Sequence, residues 1–260
     1  MIQPLAYVNP EAKIANNVVI EPFVTIHKNV HIGEGTWIGS NVTIMEGARI
    51  GKNCRIFPGA VISAVPQDLK FENEDSVARI GDNVTIRECV TVNRGTKASG
   101  ETKVGNNCLL MAYSHVAHDC IIGDNVILAN AVQLAGHVEV GDFAILGGMC
   151  AVHQFAKIGQ HVIVSGGSLV RKDVPPFTKA AREPLSYAGV NSVGLRRREF
   201  SSEKIAEIQE IYRNIYLRGM NNNAALARIE AEMPATKERD DILSFIRDSD
   251  RGIMKGFLSK

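Results

Sequence analysis

Four of the seven histidines fall in one stretch of the chain: His115, His118, His137 and His153. Imidazole is the side chain that gains and loses a proton near neutral pH, so such a cluster is a candidate for general acid–base work. His118 is followed directly by Asp119, and a carboxylate beside an imidazole suits a base with an orienting partner. Three imidazoles could also hold a zinc ion. A chain with 29 basic and 28 acidic residues has no general affinity for polyanions, so any anion site must be a local patch. One such patch exists between Arg171 and Arg198. There Arg171, Lys172, Lys179, Arg182, Arg196, Arg197 and Arg198 face only Asp173 and Glu183. It reads either as a solvated helix face or as a site for phosphates or an acidic partner, where guanidinium forks suit bidentate contacts. No glycine loop of the phosphate-binding kind accompanies it.

The elements that carry these residues follow from a strict period of six. Ile14, Ile20, Ile26, Ile32, Ile38, Ile44, Ile50, Ile56 and Ile62 open successive hexads. The series resumes at Ile80, Ile86 and Val92, and again from Val104 through Leu110, Val116, Ile122 and onward to Val170. Four residues after each start, Pro66 at the first gap excepted, comes a small or β-branched residue, a slot held by Cys54, Cys108, Cys120 and Cys150 among others. These cysteines therefore read as core residues, not as a disulfide framework. Glycine often follows the start, as at Gly33, Gly51, Gly105, Gly123 and Gly141, where it would permit a turn. A period of six excludes an α-helix. It fits short strands joined by corners, three hexads to a coil, in a mainly β fold: a parallel β-helix spaced about 4.8 Å per coil.

With eighteen residues per coil, the hexads from Val116, Leu134 and Val152 stack on one wall. His118, His137 and His153 then lie on three successive coils, with His115 at the corner before. Gly136 falls in the slot of His118 one coil up, and its N–H is expected close to that ring. Against this, His27 and His161 occupy the slots of His153 and His137 without joining the cluster, so single corner histidines are ordinary here. Two polar gaps, 63–79 and 93–103, should be loops ejected from the prism, where solenoids carry function.

The repeat ends at Asp173-Val174-Pro175-Pro176. The spacing predicts helices beyond it: one capped by Ser201 or Ser202 with Ile205, Ile208, Tyr212, Ile215 and Tyr216 on one face, a second over 223–232, and a third capped by Thr236. The expected division is a β-helix over 1–190 and an α-helical part over 191–260. No apolar run is long enough for a membrane span and no secretory signal opens the chain, so a cytoplasmic protein is expected.

Several segments occur in one order: Gln67-Asp68-Leu69-Lys70, Asn93-Arg94-Gly95-Thr96, His115 to Asp119, Leu134 to Val138, Val152 to Phe155, Asp173 to Pro176, and Asn191 with Gly194 to Arg198. Together they resemble the UDP-N-acetylglucosamine O-acyltransferases of lipid A biosynthesis, whose repeat forms a left-handed β-helix. The general rule for parallel crossovers would favour the right hand, so handedness comes from the resemblance alone. The resemblance implies transfer of a 3-hydroxyacyl group from acyl carrier protein to the sugar 3-hydroxyl of UDP-N-acetylglucosamine. It implies a homotrimer with sites in the clefts between subunits, and no cofactor, metal or nucleic acid. His118 resembles the base, Asp119 its partner, and the Gly136 N–H the oxyanion donor. Asp68, Lys70, His115, His137, His153 and Gln154 resemble the sugar-binding set. Asn191, Arg197 and Arg198 resemble contacts to the UDP part, and Gly166 the glycine at the end of the acyl pocket.

Three positions depart from the pattern: Asn93 and Pro184 stand where the family has histidine, and Val193 where it has glutamate. With Pro184 in place of histidine, an acyl pocket open to about 14 to 16 carbons is expected, each buried methylene adding roughly 0.8 kcal/mol. The alternatives are a zinc-dependent hydratase on the same fold, resembling β-helix carbonic anhydrases, and a purely structural solenoid.

Overall fold

The computed structural model describes residues 1–256. From Tyr7 to Val170 the chain runs in short strands, mostly of two residues, that stack in parallel into three walls. The first wall has nine strands from Tyr7–Val8 to Leu169–Val170 and contains His115–Val116. The second has eight, from Lys13–Ile14 to Lys157–Ile158. The third starts at Val19–Ile20, passes Ile163–Val164, and continues into Thr178–Ala181, Ser186–Val190 and Lys255–Gly256. Val116 pairs with Leu134 and Leu134 with Val152, so the eighteen-residue coil holds. The fold is a left-handed parallel β-helix with a C-terminal α-helical part.

Every hexad start from Ile20 to Val170 is buried. So are Cys54, Cys108, Cys120 and Cys150, and burial pushes the Cys108 thiol up to about 11 and Cys120 to about 12. These thiols stay protonated and act as small core groups. The reason expected for the glycine after the start is corrected by the structure. Gly33 and Gly51 are not in the left-handed region; a Cβ on Gly33 would lie 2.6 Å from the Gly51 carbonyl carbon in the next coil. Glycine is there because coils approach closely at that point. The left-handed residue comes two positions later, at Asn17, Asn29, Asn41, Asn53 and Gly35 among others, types that tolerate positive φ.

The two ejected loops are shorter than expected, 65–76 and 94–100, because Val77–Ile80 and Glu101–Val104 rejoin the second wall. Both loops leave the prism at the same corner, between the first and second walls.

After the prism come four helices: α1 (Ser192–Arg197), α2 (Ser202–Tyr216), α3 (Asn222–Glu232) and α4 (Lys237–Arg247). Ser201, Asn221 and Thr236 cap the last three by accepting a backbone N–H, as such side chains do. The helix α1 and the hairpin of Thr178–Ala181 with Ser186–Val190 were not expected from the spacing. The apolar helix faces form a second core with Phe177 and Val190. Tyr212 is fully buried and its hydroxyl donates to the Pro176 carbonyl, which fastens α2 to the end of the prism. Asp173 is also buried; its carboxylate accepts from Lys157 N–H and Ser249 Oγ, which ties the last coil to the returning chain.

Candidate active site

The corner between the first and second walls collects the candidates. Going up it, coil by coil, stand loop 65–76, loop 94–100, His118-Asp119, Gly136-His137 and Gln154-Phe155. An open cleft of about 360 Å³ runs along this edge, lined by Gln67, His115, Ala117, His118, Gly136 and Gln154 among others.

His118 is buried, and its Nδ1 lies 2.8 Å from Asp119 Oδ2. Asp119 sits at the left-handed corner position, with φ of 58°. Its carboxylate has no exposed surface. Burial alone would push it up, but hydrogen bonds from Ser99, His118 and Thr96 outweigh that and hold it at about 2. A charged Asp119 fixes the His118 ring through Nδ1–H and leaves Nε2 available on the cleft side. His137 stands edge-on to His118, with ring centroids 5.2 Å apart, and its Nε2 is 3.6 Å from Asp119 Oδ2.

Gly136 is where the sequence placed it. A Cβ there would fall 2.6 Å from His118 Cε1 and 2.7 Å from Nε2, so only glycine lets the ring lie against the backbone. Among the described residues its N–H has no backbone carbonyl partner. An unspent amide beside an imidazole can stabilise a developing oxyanion.

His115 is not at the corner, as the spacing suggested, but in the strand His115–Val116. Its Nδ1 is 2.7 Å from the Thr91 hydroxyl, and burial and then the neighbouring His118 lower its pKa. His153 does not stack on the other histidines. It is exposed, with Nδ1 3.1 Å from the Gln154 carbonyl oxygen. The ring that stacks on His137 is Phe155, at 4.6 Å. The site of three imidazoles that spacing allowed is therefore not assembled. The close group is His118, Asp119 and His137, whose ligand atoms lie within 4.8 Å of one another.

Asp68 and Lys70 are on loop 65–76, where Asp68 Oδ1 accepts the Lys70 N–H at 3.0 Å; it is Gln67 that reaches the cleft. Gly166 lies at another corner, between the third and first walls. A Cβ there would meet only the Gly148 carbonyl oxygen at 3.1 Å and its nitrogen at 3.6 Å closely. Asn191, Arg197 and Arg198 gather at the remaining corner. Asn191 is buried and its amide is spent on the α1 cap and the His161 carbonyl. Arg198 donates to the Gly194 and Phe143 carbonyls and lies 5.2 Å over the Phe143 ring. Arg197 is exposed in the last turn of α1. The basic segment is thus no single helix face: it spans the last coil, the hairpin and α1. Of the departures, Asn93 is buried with its Oδ1 unpartnered, Val193 is exposed, and Pro184 lines an apolar cavity of about 430 Å³ with Leu169 and Leu185.

The site residues missing from the sequence reading are Thr91, Thr96, Ser99, Gln67 and Phe155. Phe155 carried a signal, since an aromatic at a position made for asparagine or glycine calls for a reason. The others had none, because loop register was not readable.

Comparison with known proteins shows the family and the fold. A family model described as UDP N-acetylglucosamine O-acyltransferase, domain 2, matches residues 173–254. One for bacterial transferase hexapeptide repeats matches 101–136, and one for the GMPPB C-terminal domain matches 2–98. The acyl carrier protein–UDP-N-acetylglucosamine O-acyltransferase of Trichlorobacter lovleyi is 49% identical over 259 residues, 98% of this chain and 99% of that protein. The crystal structure of LpxA, a UDP-N-acetylglucosamine acyltransferase from Bacteroides fragilis, superposes with a TM-score of 0.97 at 52% identity, covering 98% of this chain and 100% of that one. LpxA from Acinetobacter baumannii gives 0.95 at 39% identity, covering 98% and 99%. With identity at this level along nearly its whole length, the chain belongs to the UDP-N-acetylglucosamine O-acyltransferase family.

Proposed function

We propose that this protein transfers a 3-hydroxyacyl group from acyl carrier protein to the 3-hydroxyl of UDP-N-acetylglucosamine, the opening step of lipid A biosynthesis. The observation that carries the chemistry is the His118–Asp119 pair set against the Gly136 amide. Asp119 holds the Nδ1–H of His118. Nε2 takes the proton of the sugar hydroxyl as its oxygen attacks the thioester carbonyl. The new C–O bond forms, the carbonyl π pair moves onto oxygen, and the Gly136 N–H receives that charge. On collapse the C–S bond breaks, and the imidazolium returns the proton to the departing sulfur.

His115, His137, Gln154 and Gln67 line or border the cleft and are the groups on hand to orient the sugar. His153, Asp68 and Lys70 stand at its margin in one protomer. Gly166, Arg197 and Arg198 lie on other edges of the prism, so they serve the reaction only if a second copy brings its edge to the first. In this reading the working unit is a homotrimer with its sites between subunits, as the family resemblance implies. Arg197 then contacts phosphate or the acidic carrier, while Asn191 supports α1. The reaction belongs to the cytoplasm; among the described residues no helix is long and apolar enough to cross a membrane.

The test is to incubate the protein with labelled 3-hydroxyacyl carrier protein and UDP-N-acetylglucosamine. Label should pass to the nucleotide sugar in a form released by mild alkali, as an ester is and an amide is not. Light scattering should give three copies of the 28.3 kDa chain. Failure to label the sugar with any 3-hydroxyacyl donor sinks the reading.

A further inference from the structure

The inserted loop 94–100 leaves the prism one coil below the His118-Asp119 corner and folds back onto the Asp119 carboxylate. Oδ1 accepts the Thr96 N–H at 2.9 Å and the Ser99 hydroxyl. Oδ2 accepts the Thr96 hydroxyl at 2.7 Å and faces His118 Nδ1 at 2.8 Å. The loop is itself held: Ser76 Oγ donates to the Gly95 carbonyl, and the Lys97 N–H donates to Glu74. A β-helix corner has no need of a buried acid, since asparagine fills the same position at Asn107 and Asn125 with the same backbone. Both donor side chains converge on the one carboxylate that touches the base.

We propose that Thr96 and Ser99 are positioning residues that aim the Asp119 carboxylate at His118 and set the basicity of that pair. The kinetic part of this proposal rests on the acyl-transfer reading above. The mechanism is competition for lone pairs. Each hydroxyl bond draws electron density from Asp119 and so weakens what it offers to the His118 Nδ1–H. It also removes the carboxylate's freedom to turn away. The titratable and charged groups on the surrounding elements include His115, His137, Arg94, Lys97, Glu74 and Glu101, and none changes in the variants below.

The experiment compares the full chain with Ser99→Ala, Thr96→Val and Thr96→Ser. Losing one hydroxyl should cut kcat roughly five- to tenfold while KM for UDP-N-acetylglucosamine stays within about twofold. Thr96→Ser should restore most of the loss. The acidic limb of the kcat/KM profile should move to higher pH in Ser99→Ala, because the pair titrates as a unit and its carboxylate is then less shared. Proton NMR of the same proteins reads the claim without turnover: the Nδ1–H resonance of His118 should move downfield in Ser99→Ala. An unmoved resonance and an unmoved acidic limb in folded Ser99→Ala protein overturn the proposal. A parent protein that fails to turn over sinks the acyl-transfer reading instead, and the resonance still decides the role of the loop. Should Thr96→Val not fold, Ser99→Ala alone gives both readouts.

Discussion

In the first coils of the prism the left-handed corner position is held by Asn17, Asn29, Asn41 and Asn53, or by Gly35, Gly47 and Gly59, with Leu5 and Phe23 the exceptions. Between residues 113 and 161 the same position carries Tyr113, Asp119, Ala131, His137, Phe143, Met149, Phe155 and His161, with Asn125 the exception. The backbone is the same in both regions. A residue other than glycine or asparagine there costs about 1 kcal/mol. The early coils use the corner residue only to turn the chain. At some of the later corners the side chain has work: Asp119 holds the base, and His137 flanks the pair and stacks on Phe155. His161 does structural work instead, stacked between Phe143 and Phe177 under the helical part.

That contrast can be broken by experiment. Apart from the base itself, the largest effect is expected at Gly136→Ala, whose Cβ would fall 2.6 Å from the His118 ring. It should lower turnover by about 10²-fold or more, because the Cβ displaces the base from the Gly136 amide, which alanine retains. The same change at Gly219, beyond helix α2 and with nothing within 4 Å of a Cβ, should leave turnover within about threefold, since only its positive φ is strained.

His137→Asn separates the two demands at one corner. It should lower turnover on the order of tenfold, yet raise stability by up to about 1 kcal/mol in chemical denaturation, because asparagine suits the conformation. A less stable His137→Asn protein would show that the stack on Phe155 outweighs corner strain.

Gly166→Met tests the edge that lies away from the histidines. It should shift the donor preference toward shorter chains in a series of 10- to 16-carbon donors, a severalfold change per two carbons. An unchanged profile would mean that Gly166 does not bound the acyl pocket.

The smallest effect concerns His161. Burial, and then the charge of Arg198, lower its pKa from the ordinary 6.5 to about 4. Its neutral form is therefore favoured by the fold. That contribution is complete above pH 6.5 and is lost as pH falls from 6.5 toward 4, where protonation of the unfolded chain is preferred. Denaturation of His161→Phe across this window should show a shallower fall in stability than the parent. Equal slopes would place the acid sensitivity elsewhere.

The period of six let the sequence reading reach the three walls, the eighteen-residue coil and the stack of Val116, Leu134 and Val152, because a core residue recurs at every start. His118, Asp119 and Gly136 followed from that register. The course of the chain inside the two ejected loops did not, since a break in the period leaves no pattern to count along, and so the hydroxyls of Thr96 and Ser99 went unseen. Helix α1 was hidden because Ser192 to Arg197 has one buried residue, Leu195, and no periodic face. The apparent fit of His153 to the cluster was a limit of counting coils. Its hexad is correct, but it lies one position after the strand and turns outward, while Phe155 stacks on His137.

The claim that one corner of the prism does the chemistry is tested most directly at its base. Turnover of His118→Ala should be measured on carrier-protein donor and UDP-N-acetylglucosamine, beside thermal unfolding of the same preparation. The expected result is a loss of 10² to 10⁴ in kcat on the order typical of a general base, with unfolding close to the parent's. A well-folded His118→Ala protein that turns over near the parent rate would contradict the account.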